Sequence, residues 1–248
     1  MKRKILTGLV LMASVGGVMA QIKPKSKEEA EAVQALAAAE SQSPDAVIKA
    51  AEDLLAKFAD TEYKEVALLM EADAYQKKGD YAGAEITDQR VLEANPKNAQ
   101  AAMQLGELIV QHVRENDLDK DAQLAKAEKD FDLAMSNLDS KPAVVTEDKW
   151  EAAKKQMRAE IENDQGLVAL ARKNYDTAAT QFKKADDIDP QPAYQVRLAS
   201  AYQQGGKNDD AIAICDKLLA DPQLHPTIRR VAEAVKTKAT QAKSGAGK

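Results

Sequence analysis

The residues with the most evident chemistry form one short acidic run: Asp117, Leu118, Asp119, Lys120 and Asp121, followed by Leu124 and Glu128. Their charges fall at the ligand positions of a calcium-binding loop of about twelve residues, in which carboxylate oxygens replace the water shell of a hard cation. Ala122 stands where such a loop needs Gly for its sharp turn. The favoured expectation is therefore an acidic cap on the helix that follows, since carboxylates stabilise helix N-termini.

Other chemistry is sparse. His112 and His225 are the only histidines, and neither has a second ligand at metal-binding spacing. There is no HExxH, no CxxC and no Gly-x-Ser-x-Gly elbow. Gly206-Lys207 and Gly247-Lys248 lack the loop glycine and the Ser or Thr of a phosphate cradle. Cys215, the single cysteine, falls on the inward face of an amphipathic helix, which favours packing over nucleophilic use. The sequence thus predicts no enzyme, no cofactor and no metal site.

The elements that hold these residues are helical. Of 248 residues, 46 are Ala and only 10 are Phe, Trp or Tyr, with 44% apolar and 30% charged overall. That texture suits helices with a buried core and disfavours strands. Apolar residues recur at helical spacing, as in Leu54, Leu55 and Phe58 or Ile212, Cys215, Leu218 and Leu219.

The N-terminus reads as an address. Lys2, Arg3 and Lys4 precede an apolar stretch from Ile5 to about Val18, and small residues end at Ala20. This predicts a secretory signal peptide over 1–20, cleaved after Ala20, and a periplasmic or secreted protein of bacterial type. The apolar stretch is shorter than a spanning helix needs, and no later segment is apolar enough to cross a membrane. The formal charge is −5, and becomes −8 once those twenty residues are removed. An acidic chain of this kind offers nucleic acid no basic face.

A repeat organises the rest. Ala84, Ala178 and Ala211 precede Pro96, Pro190 and Pro222 by 11 or 12 residues, with Tyr81, Tyr175 and Asn208 in the turn before them. Small residues Ala72, Gly166 and Ala199 lie further upstream, two of them followed by Tyr75 and Tyr202. The unit is a helix–turn–helix of about 34 residues.

This pattern resembles the tetratricopeptide repeat (TPR) over roughly residues 45–223. One copy reads Ala72, Tyr75, Gly79, Tyr81, Ala84 and Pro96; the next reads Gly166, Tyr175, Ala178, Phe182, Ala185 and Pro190; the last reads Leu198, Ala199, Tyr202, Gly206, Ala211, Leu218 and Pro222. Two stretches depart from it. The partner helix of Leu105, Gly106 and Ile109, carrying Ala127, Phe131 and Ala134, comes about nine residues late, and Asp45 to Asp60 looks like an orphan second helix. Trp150 enters on a helix that starts several turns early and is read as packing, not as a ligand platform.

The resemblance implies an all-α, right-handed superhelical solenoid of antiparallel helix pairs. The expected division is a disordered segment at 21–27, a repeat array over 28–223, a capping helix over 224–242 and a disordered tail at 243–248. In the capping helix Ile228, Val231 and Val235 form the apolar stripe. In this family the first helix of each repeat lines a concave groove that holds a protein or peptide. Mapped here, the groove presents Leu69, Met70, Asp73 and Gln76, then Met103, Gln104 and Glu107, then Asn163, Asp164 and Leu167, then Val196, Arg197, Ser200 and Gln203. Relatives that clamp a terminal carboxylate use Lys, Asn and Arg there, whereas this chain has Leu69, Asp73, Gln104, Glu160 and Asp164, with only Arg197 in keeping. The implied protein is an exported scaffold for a side-on amphipathic segment, with envelope assembly as its expected setting; the alternative is a homo-oligomer stacking through its end helices.

Overall fold

The structure is a computed structural model that describes residues 22–141 and 147–245. The signal-peptide expectation falls on residues 1–20, which lie outside the described residues.

Among the described residues there are eleven helices and no strands. They are α1 (Lys27–Ala39), α2 (Pro44–Lys57), α3 (Lys64–Lys78), α4 (Tyr81–Ala94), α5 (Ala99–His112), α6 (Lys120–Ser136), α7 (Glu147–Ala171), α8 (Tyr175–Ile188), α9 (Pro192–Gln204), α10 (Asn208–Leu219) and α11 (Pro226–Gly245). Neighbours pack in series: α1 on α2, α2 on α3 and α3 on α4, and likewise α8 on α9, α9 on α10 and α10 on α11. The expected all-α fold of TPR-like helix pairs is therefore present.

Local chemistry sets the helix ends. Ser26, Ser43, Asp80 and Asn174 each offer a side-chain oxygen to a backbone N–H of the first turn. Pro44 and Pro192 occupy first-turn positions, where the missing N–H costs nothing. The helix–helix turn inside three repeats is closed in one way. The amide of Asp80 donates to Tyr75 O at 2.9 Å, that of Asn174 to Ala169 O at 2.8 Å and that of Lys207 to Tyr202 O at 2.8 Å. Each turn needs one left-handed residue, supplied by Gly79, Lys173 and Gly206.

The chain forms two compact units, Met1–Leu108 with Asp132–Lys154, and Ile109–Phe131 with Lys155–Lys248. In the first, Val33, Leu36, Leu54, Tyr63 and Met70 share a core, and Leu68 packs with Val91 and Ala101. The Tyr63 hydroxyl donates to Ile22 O at 2.5 Å, and Thr61 Oγ1 donates at 2.6 Å to the buried carboxylate of Glu29. In the second unit Phe182 packs with Ala178, Leu198 and Ala201, while Cys215 and Leu218 pack with Ala232, Val235 and Ala239.

Two sequence expectations change. The helix at Asp45–Asp60 is no orphan: α1 packs on α2 through Val33, Leu36 and Ala39. Val231 is 39% exposed and lies off the buried stripe of α11, which runs through Ala232, Val235 and Ala239 instead. Burial sets that stripe, because the small alanines approach α10 more closely than a branched side chain would. The acidic run agrees with its favoured expectation, since α6 begins at Lys120 and carries Asp121 in its first turn.

Candidate functional site

The mapped groove residues lie on first helices of the repeats: Leu69, Met70 and Asp73 on α3, Met103, Gln104 and Glu107 on α5, Asn163 and Asp164 on α7, and Arg197 and Gln203 on α9. Their exposure is uneven. Leu69, Arg197 and Gln203 are half-buried, and the other seven are buried. Met70 belongs to the core of the first unit, and Leu69 packs against Leu68, Val91 and Ala101.

Three of the ten meet directly. Arg197 Nη1 donates to Asn163 Oδ1 at 2.6 Å, and Asn163 Nδ2 donates to Asp164 Oδ1 at 2.8 Å. Glu160, one turn back on α7, accepts from Gln156 at 3.1 Å, and burial pushes its carboxyl above the usual range. Burial also raises the phenol of Tyr194, with the nearby charge of Glu160 acting in the same sense. This polar patch of the second unit is ordered from within by charge-assisted bonds.

In the first unit, Asp73 lines an open pocket of about 120 Å³ between the α1–α2 turn and α3. Glu40, Pro44, Val47, Met70 and Lys77 line it too. Lys77 Nζ lies 2.5 Å from Asp73 Oδ2. Glu71 is buried two residues away; desolvation raises its carboxyl, and Arg90 Nη1 at 3.3 Å acts against that rise.

Sequence reasoning missed Asp88. This residue of α4 is 0% exposed, and neither carboxylate oxygen has a hydrogen-bond partner among the described residues. Burial, and next the charge of Asp73, push its carboxyl well above the usual range. A signal was available: Asp88 follows Ala84 by the same four residues that separate Phe182 from Ala178 and Cys215 from Ala211. An acid thus stands where the other repeats place an apolar core residue.

The remaining candidates carry no ligand geometry. Asp117 Oδ2 accepts from the backbone N–H of Arg114 at 2.7 Å, and Glu128 pairs with Arg172. Asp121 through Glu128 are strung along α6, so they do not wrap a cation as a calcium loop does. Trp150 is buried, and so is Cys215, whose thiol burial pushes up. No described helix is long and apolar enough to cross a membrane.

Serial helix pairs with small residues at their contacts define a helical-repeat scaffold, a class generally used in protein–protein interaction. The particular family follows from comparison: the profile of the tetratricopeptide repeat-like domain matches residues 4–203, and the chain belongs to that family. A solved TPR protein from Thermus thermophilus is similar at 21% identity, covering 77% of this chain and 90% of its own, with a TM-score of 0.51. A structure of an assembly chaperone of RpL4 shares 12% identity over 92% of this chain and 100% of its own, with a TM-score of 0.48. No curated protein matches the chain.

Proposed function

We propose that this protein is an exported, non-enzymatic scaffold that holds a segment of a protein partner along the first helices of its repeats, in the periplasm or outside the cell. Family membership supports the interaction role. Support for export comes from the basic, apolar and small-residue pattern of residues 1–20. The observation that carries the groove is the pocket beside α3, because two of the mapped residues, Met70 and Asp73, line an opening there. Assembly of the cell envelope is the process that fits an exported adaptor.

The test uses half-buried positions, which tolerate polar change. Full-length mature chain is compared with a Leu69→Lys, Gln203→Asp variant in affinity capture from the native envelope fraction. A partner recovered by the first and lost by the second, with circular dichroism unchanged, supports the groove. Equal recovery by both overturns it. A second reading, self-association through the end helices, draws on the exposed Val231 of α11. A mass in light scattering that stays monomeric at every concentration removes that reading.

A further inference from the structure

The pocket beside α3 carries an uncompensated charge. Glu40, exposed at the end of α1, and Asp73, buried on α3, bring two carboxylates to it, and Lys77 brings one ammonium. The lining is short of neutrality by one cation. Pro44, Val47, Met70 and Ala74 give it apolar walls, and Gln42 and Ser43 add polar lining at the turn.

The groups differ in freedom. The Asp73 side chain is 7% exposed and fixed on its helix, whereas Lys77 is half exposed on a flexible stem. Their pairing is an i,i+4 contact that Lys77 gives up when another cation takes its place, because a buried carboxylate left unpaired is costly. Asp88 supplies Asp73 no counter-charge: it is fully buried, its oxygens have no donor among the described residues, and burial and the Asp73 charge push its carboxyl well above the usual range. Lys77 already shows that an amine fits against Asp73.

We propose that this pocket is a subsite for one cationic side chain, Arg or Lys, of the bound protein segment. The aliphatic stem lies on Met70 and Val47, and the charged head sits between Asp73 and Glu40 in place of Lys77. A volume of about 120 Å³ admits a guanidinium or ammonium head but not a folded element. That the cation belongs to a protein rests on the scaffold reading; the preference of the pocket for a cation does not.

The experiment follows backbone amide shifts of the full mature chain on titration with acetyl-arginine N-methylamide. Acetyl-norleucine and acetyl-glutamate N-methylamides serve as controls. Saturable shifts confined to the α1–α2 turn and the Met70–Lys77 stretch are expected with the arginine probe alone. Lys77→Ala should tighten binding roughly threefold or more by removing the internal competitor. The exposed change Glu40→Gln should weaken it roughly threefold or more by removing one of the two carboxylates. No saturable shift in either wild type or Lys77→Ala overturns the subsite, and so does an equal response to norleucine or an unchanged affinity in Glu40→Gln. Partner capture that is lost in the Leu69→Lys, Gln203→Asp variant while the pocket stays silent removes the subsite and leaves the scaffold standing.

Discussion

The ring of Phe182 on α8 lies so close to Gly166 on α7 that a Cβ at Gly166 would come within 2.6 Å of the ring edge. Two helices of one repeat therefore meet at a backbone–ring contact. Phe182 is completely buried and cannot swing aside. Gly166→Ala gains about 1 kcal/mol of helix propensity but overpacks a filled site, which costs about 1–3 kcal/mol. The expected result is net destabilisation of about 1 kcal/mol, read as a lower urea midpoint. Adding Phe182→Leu to Gly166→Ala should cost less than the sum of the two single changes, because the smaller side chain vacates the clash.

Asp88 holds the equivalent place in its own repeat, and its chemistry predicts a pH signature. Its carboxyl is raised in the folded state by burial and by Asp73, so the folded chain holds a proton that the unfolded chain releases above about pH 4. Stability from this group is fully present below that value. It falls by up to about 1.4 kcal/mol per pH unit as pH rises toward the folded value. Asp88→Asn keeps the shape and removes the titration. The variant should match wild type near pH 4 and exceed it at pH 7 by about 1–3 kcal/mol in urea unfolding. Equal stability at both pH values would contradict the assignment.

The repeat frame was legible because it rests on residue size at fixed spacing: Ala72, Ala84, Ala178, Ala199 and Ala211 are all buried where the pattern placed them. The pairing of α1 with the Asp45–Asp60 helix was missed for the opposite reason, since the alanine-rich sequence of α1 blurs the face carrying Val33 and Leu36. The site was less legible. Spacing gives the face on which Met103, Gln104 or Glu107 stands, but not how closely other side chains approach it, and all three are buried. Asp88 was hidden by an expectation of like residues at like positions. Only its failure to be apolar marks it.

Lys173 adopts a left-handed conformation, φ 61°, in the turn where Gly79 and Gly206 have φ 77° and 80°. A side chain there costs roughly 1–2 kcal/mol, and glycine escapes that strain while giving back part of it as unfolded-chain entropy. Lys173→Gly should raise stability by about 0.5–1 kcal/mol in urea unfolding. The change also removes one of two lysines on Glu115. Lys120 at 2.6 Å and Lys173 at 2.8 Å together hold that carboxyl down to about 2. Its pKa should therefore rise in the variant while staying below the ordinary value, as followed by the side-chain carboxyl resonance.

Met103 separates reading the groove from breaking the fold. At 4% exposure its thioether is interior, so Met103→Asp forces a carboxylate into a site without water. The expected loss is about 3 kcal/mol or more, enough to lower the urea midpoint of the first unit sharply and to abolish partner capture by unfolding alone. Met103→Leu conserves volume and should cost less than about 1.5 kcal/mol. Leu69→Lys, at a half-buried position, can carry its ammonium out to solvent along its stem and should cost about 1 kcal/mol. A variant set that loses capture at Leu69 with its midpoint lowered only by that small cost, and retains it in Met103→Leu, places the partner on the outer edge of α3. If Met103→Asp instead unfolds no earlier than wild type, Met103 is open to solvent, and α5 presents the broader surface that its sequence alone implied.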